Sequence, residues 1–168
     1  MTSIFWEDLR SGSCLPDIVV PMTASRLVIA AGSNRDFNGI HVNREMAEAA
    51  GAPDVFANNH LLQGFWERAV RSAVGSSAVI LALRSFRMVR LNVVGSTLVV
   101  SSRVGRLWPD PDGGFVELRV ECSMNGQVTV GPGRVLAALP RRGGHGGTGL
   151  YRLASRKPKE FETAVDHE

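Results

Sequence analysis

Between His60 and Val74 the chain carries an apolar face too wide to leave in water. Leu61, Leu62, Phe65, Trp66, Ala69, Val70, Ala73 and Val74 recur at helical spacing, while Glu67, Arg68 and Arg71 fall elsewhere. Asn58 and Asn59 stand ahead of this run as caps. Gly64 within it is a poor helix former, costing about 1 kcal/mol against Ala, and is expected where another backbone approaches closely. Such a helix needs a cover, and the residues after it provide one. Ala78 to Val89, Ser96 to Trp108, Phe115 to Ser123 and Val128 to Leu139 are rich in β-branched residues and read as strands. They are separated by Asn92 to Gly95, by Pro109 to Gly114, and by Asn125-Gly126, the dipeptide most characteristic of a two-residue hairpin turn.

The part before the helix is shorter-ranged. Phe5, Trp6 and Leu9 are aromatic and apolar anchors of a segment crossing the domain ahead of a first strand at Asp17 to Met22. Thr23 or Ser25 caps a short helix, and Asn43 caps a second over Arg44 to Ala50, stopped by Gly51. Asp36 to His41 forms a loop between these two helices, and Val55 to Ala57 is a short apolar segment. One strand, then helices, then consecutive strands is an α+β order, in which an antiparallel sheet curls round the long helix and buries its apolar face.

The 168 residues suffice for one core, placed at 1–140. From residue 141 to 168 the chain is Gly-rich and charged, which predicts a disordered tail in which Leu150, Tyr151 and Leu153 form a small apolar island able to dock on the domain or a partner. His145 and His167 fall in that tail and are expected in solvent. Cys14 and Cys122 match no metal or redox spacing and read as reduced thiols. No apolar run reaches the length of a membrane span, and the first residues lack a signal-peptide pattern, so a cytoplasmic location is expected. A net charge of +3 suits a phosphate-bearing ligand or an acidic carrier protein and gives no sign of nucleic-acid binding.

Chemistry concentrates in Asp36-Phe37-Asn38-Gly39-Ile40-His41. A carboxylate and an imidazole sharing one water can take a proton from it and deliver one elsewhere, the two functions that adding water to an α,β-unsaturated thioester requires. The pattern Asp-x-Asn-x-Ile-His resembles the active-site signature of the MaoC-like dehydratases and R-specific enoyl-thioester hydratases, over roughly residues 4 to 140. The resemblance implies the hot-dog fold, matching the element order, and catalytic roles for Asp36 and His41. Asn38 would orient the loop or the carboxylate. The family usually has Pro where this chain has Gly39, a change that frees φ in the loop.

The resemblance extends to the start of the long helix. The family commonly has a His-Gly-Met type sequence there whose Gly amide stabilises the enolate oxygen, and Asn59 is the positional match for that donor. Asn58, with Arg35-Asp36-Phe37 and Asp54-Val55-Phe56, is similar to a narrower branch, the hydratase subunits acting on steroid side-chain thioesters. Asn58 and His60 are pocket-lining candidates.

The implied activity is a hydro-lyase that adds water to a 2-enoyl thioester or removes it from a 3-hydroxyacyl thioester, linked to CoA or an acyl carrier protein, without metal or other cofactor. The implied assembly is a homodimer, or a heteromer with a related hot-dog subunit. A polyketide-type tailoring dehydratase or cyclase and a non-catalytic acyl-binding partner subunit are the alternatives.

Overall fold

A computed structural model describes residues 4–143, 150 and 152–163. Its order is β1 (Ile18–Pro21), α1 (Ala24–Ser33), α2 (Arg44–Ala49), α3 (Asn59–Val74), β2 (Val79–Arg84), β3 (Thr97–Asp110), β4 (Gly113–Met124), β5 (Gln127–Leu139) and α4 (Lys159–Thr163), with 3-10 turns at Trp6–Asp8, Gly39–His41 and Ala154–Arg156. The strands form one antiparallel sheet in the order β1-β3-β4-β5-β2, a hot-dog arrangement with α3 along its concave face.

The predicted stripe is the buried face of α3. Leu62, Phe65, Trp66, Ala69, Val70, Ala73 and Val74 join one core with Leu98, Val100, Val104, Leu118, Val120, Val130 and Val135 from the sheet. Burying a side chain of this size contributes about 1.5–3 kcal/mol, so the stripe fixes the helix against the sheet. Gly64 lies off this face. A Cβ there would meet nothing within 4 Å among the described residues, so the expected close approach of a backbone is not made by them.

The Asn125-Gly126 turn has φ of 51° and 74°, the doubly positive geometry of a type I′ hairpin, and Met124 pairs with Gln127 across it. Two boundaries differ from those read in the sequence. The strand expected to run to Val89 ends at Arg84 because Ser85 takes a left-handed φ of 56°. The loop expected over Pro109 to Gly114 shrinks to Pro111 and Asp112. Pro109 and Asp110 pair with Gly114 and Gly113, and the Asp112 N–H donates to Asp110 Oδ1 at 3.0 Å, closing the turn with a side chain.

Where it is described, the segment beyond Pro140 also differs from the expected disorder. Leu150, Leu153 and Phe161 are buried against Phe115, Leu136 and Ala138 on the outer face of the sheet. On that face Arg134 Nη1 lies 3.3 Å from Glu117 Oε2, and its guanidinium sits over the Phe161 ring, 5.0 Å from the centroid. Arg84 pairs with Glu162 and Arg156 with Asp112. The apolar island at Leu150 and Leu153 docks on the domain, together with Phe161, which the overall Gly and charge content of the segment concealed. Tyr151, His145 and His167 lie outside the described residues.

Phe161 is fully buried. Phe161→Ala should therefore lower the unfolding free energy by about 3 kcal/mol, read from the denaturant midpoint at unchanged slope. Burial also pushes the Cys122 thiol from 9.0 up to about 12, against the opposing effect of the Trp66 indole N–H, which donates to its sulfur at 3.2 Å. An unfolded chain releases this proton first, so the associated stability is complete below about pH 9 and declines as pH rises toward 12. Denaturation across that range should show a steeper decline in the wild type than in Cys122→Ala.

Candidate active site

The loop that carries the predicted pair is set by the end of α1. The Asp36 N–H donates to Ala31 O at 2.9 Å and the Arg35 N–H to Gly32 O at 3.1 Å, with Arg35 at φ 55°. This is a Schellman closure with an arginine where glycine is usual, a left-handed conformation costing roughly 1–2 kcal/mol. It turns the chain so that Asp36 leaves the helix toward α3. Asn38 Oδ1 then accepts the Ile40 N–H at 3.3 Å and starts the 3-10 turn that carries His41. Among the described residues Asn38 makes no bond to the carboxylate, so what it holds is the loop. At Gly39, the end of the Met46 side chain from α2 occupies the space a Cβ would take.

Asp36 and His41 come together. His41 Nε2 lies 3.4 Å from Asp36 Oδ2, the imidazole being nearly buried and the carboxylate about one quarter exposed. His41 Nδ1 is 2.8 Å from Phe56 O, and the Phe56 ring packs edge-on to the imidazole at 5.0 Å. A carbonyl only accepts, so Nδ1 carries a proton and donates it; in the neutral tautomer this leaves the Nε2 lone pair on the side of Asp36. That arrangement presents a base and a carboxylate side by side to one water.

Asn58, which is buried, caps α3: its Oδ1 accepts the Leu61 N–H at 2.9 Å. Its Nδ2 donates to Asp36 Oδ2 at 3.1 Å. The sequence marks Asn58 both as a cap and as a pocket-lining candidate, whereas nothing local signals a bond across 22 residues. The backbone N–H groups of Asn59 and His60, in the first turn, have no partner among the described residues and lie at the positive end of the helix dipole.

A groove of about 830 Å³ begins at Asn34 and His60, near the pair, and follows α3 past Gly64 and Glu67, with Leu83, Ser85 and Phe86 on its other side. His60 is exposed and lines it. Asp36 and His41 are not among the residues that line the groove.

No family model matches the chain. An (R)-specific enoyl-CoA hydratase from Rhodospirillum rubrum is 24% identical over 139 residues, covering 83% of this chain and 94% of that protein. Among solved structures, a MaoC-like dehydratase from Rhodospirillum rubrum aligns with a TM-score of 0.69 at 18% identity, over 83% of this chain and 99% of its own. The chain has the fold of the MaoC-like dehydratases. The ChsH1-ChsH2 complex from Mycobacterium tuberculosis aligns with a TM-score of 0.70 at 23% identity, over 79% of this chain and 98% of the matched one. The likeness read from the Asp36 to His41 motif is thus met both by a curated sequence relative and by the fold.

Proposed function

We propose that this chain is a hydro-lyase acting on 2-enoyl or 3-hydroxyacyl thioesters, with Asp36 and His41 as its acid-base pair. The observation that carries the reading is the pair itself, 3.4 Å apart, with the imidazole tautomer set by Phe56 O and open helix N–H groups nearby. In hydration, a water held by the two groups donates one hydrogen to His41 Nε2 and the other to the Asp36 carboxylate. As its oxygen bonds the β-carbon, His41 takes the proton. Electron density moves to the thioester oxygen, where the Asn59 N–H and the dipole of α3 stabilise it. The imidazolium, stabilised by Asp36, then delivers its proton to the α-carbon and the neutral ring is restored. Dehydration is the same path reversed.

The groove beside α3, where Ile80, Leu83 and Phe86 stand among Gln63, Glu67, Arg71 and Arg84, is assigned to the acyl portion of the substrate. The similar structures include an assembly named as a ChsH1-ChsH2 complex. By likeness, the partner assigned to this chain is a second hot-dog unit, either another copy or a related subunit, and the thioester handle is CoA.

Purified protein assayed for loss of enoyl-CoA absorbance should show hydration. Asp36→Asn and His41→Ala should each lower turnover by about 10² or more; Asp36→Asn should change stability little, His41→Ala should cost about 1–3 kcal/mol through the unpaired Phe56 carbonyl, and near-native rates in both folded variants would overturn the pair. Asn59→Gly, which keeps the N–H, should retain substantial activity. Asn59→Pro, which removes it, should lose activity, provided circular dichroism and assembly are native in both.

Gly64→Leu tests the groove separately. A Cβ there meets nothing within 4 Å, and helix propensity improves by about 1 kcal/mol, so the variant should fold as the wild type does. Its kcat/KM should fall for long acyl chains and stay near native for a short one. An unchanged ratio across chain lengths would place the acyl group elsewhere.

A further inference from the structure

We propose that Asn58 is a positioning residue for the acid-base pair, coupling the start of α3 to the carboxylate that works with His41; this rests on the function proposed above. Both ends of its amide are committed. The Leu61 N–H requires an acceptor and so fixes Oδ1, while the Asp36 carboxylate requires a donor and so fixes Nδ2, at 2.9 and 3.1 Å. The amide orientation is therefore determined by its two partners.

The oxygen it holds is Asp36 Oδ2, the one 3.4 Å from His41 Nε2. The other member of the pair is held only two residues earlier, where Phe56 O receives His41 Nδ1–H. A three-residue stretch therefore grips both catalytic groups, one through a backbone carbonyl and one through a side-chain amide. That stretch is itself anchored: Phe56 bridges to Val93, and the Ala57 N–H donates to Asn92 O at 2.9 Å. Asp36 sits on a partly exposed loop and needs such an external restraint, because free rotation of its carboxylate would take Oδ2 away from the imidazole and the shared water. Misplacement of a reacting group by roughly 1 Å can cost about 10²-fold in rate.

Capping and positioning are separable by substitution. Ser and Asp are both good N-caps, so Asn58→Ser and Asn58→Asp preserve the bond to the Leu61 N–H. Ser is too short to satisfy the helix and also reach Asp36, and Asp presents a second carboxylate to the first. Asn58→Ser should keep the wild-type melting temperature and a KM within about twofold of the wild-type value, while kcat falls about 10-fold or more; Asn58→Asp, whose buried carboxylate faces that of Asp36, should lose more activity and some stability as well. Crystal structures of the variants should show Asp36 Oδ2 displaced from His41 Nε2. A native kcat in thermally native Asn58→Ser would overturn the assignment. So would loss of melting temperature in proportion to activity in that variant, which would leave Asn58 as a cap alone. If the wild-type protein hydrates no enoyl thioester, the proposed function fails, and the crystal structures still decide this point: an Asp36 carboxylate unmoved in Asn58→Ser overturns the positioning role, and a displaced one supports it.

Discussion

The burial of one face of α3 in the curve of the sheet is the constraint on which the remaining structure depends. Trp66, Leu62, Val70 and Val74 are fully enclosed, and Trp66 reaches far enough to donate to Cys122 on β4. A helix held along much of its length by such contacts cannot shift without opening the core. Its first turn is therefore a fixed reference point, and the open N–H groups of Asn59 and His60 are presented at a defined place on the surface.

Around that reference the candidate site is assembled from short polar closures rather than from core packing. Thr23, Asn38, Asn43 and Asn58 each accept a backbone N–H at the start of a helix or turn, and each begins a segment of the wall around the pair. Arg35 completes the series from the other side, ending α1 in a left-handed conformation that glycine would adopt with less strain. Loops built in this way are accurate locally. They acquire long-range accuracy only where a side chain crosses between them, as Asn58 does to Asp36.

What could be read from the sequence follows the same division. The wide apolar stripe, the β-branched runs and Asn125-Gly126 are local and periodic signals, and they located α3, the sheet and the hairpin to within a few residues. Strand ends at Arg84 and Asp110 were misplaced because they are decided by a single positive φ at Ser85 and by a side-chain bond at Asp112. Asp36 and His41 were legible because five positions separate them along one motif. The grip of residues 56–58 on both was not, since neither a carbonyl receiving an imidazole nor an amide reaching back across the fold leaves a pattern in composition or spacing. Leu150 and Leu153 stood out as an apolar island, but the sheet face they cover and the burial of Phe161 did not, the contacts being with strands far away in the chain.

That packing governs the ways in which the molecule can grow. The outer surface of the sheet is already roofed where Phe161 and Leu153 lie over Phe115 and Leu136, so a second layer could stack there only by lifting the chain's own cover and exposing the Glu117–Arg134 pair. Along the ladder the situation is different. Among the described residues β1 hydrogen-bonds only to β3, and β2 only to β5, leaving each with one row of backbone donors and acceptors unmatched by a strand. Enlargement is thereby steered sideways: the sheet can be lengthened at its margins far more readily than it can be thickened.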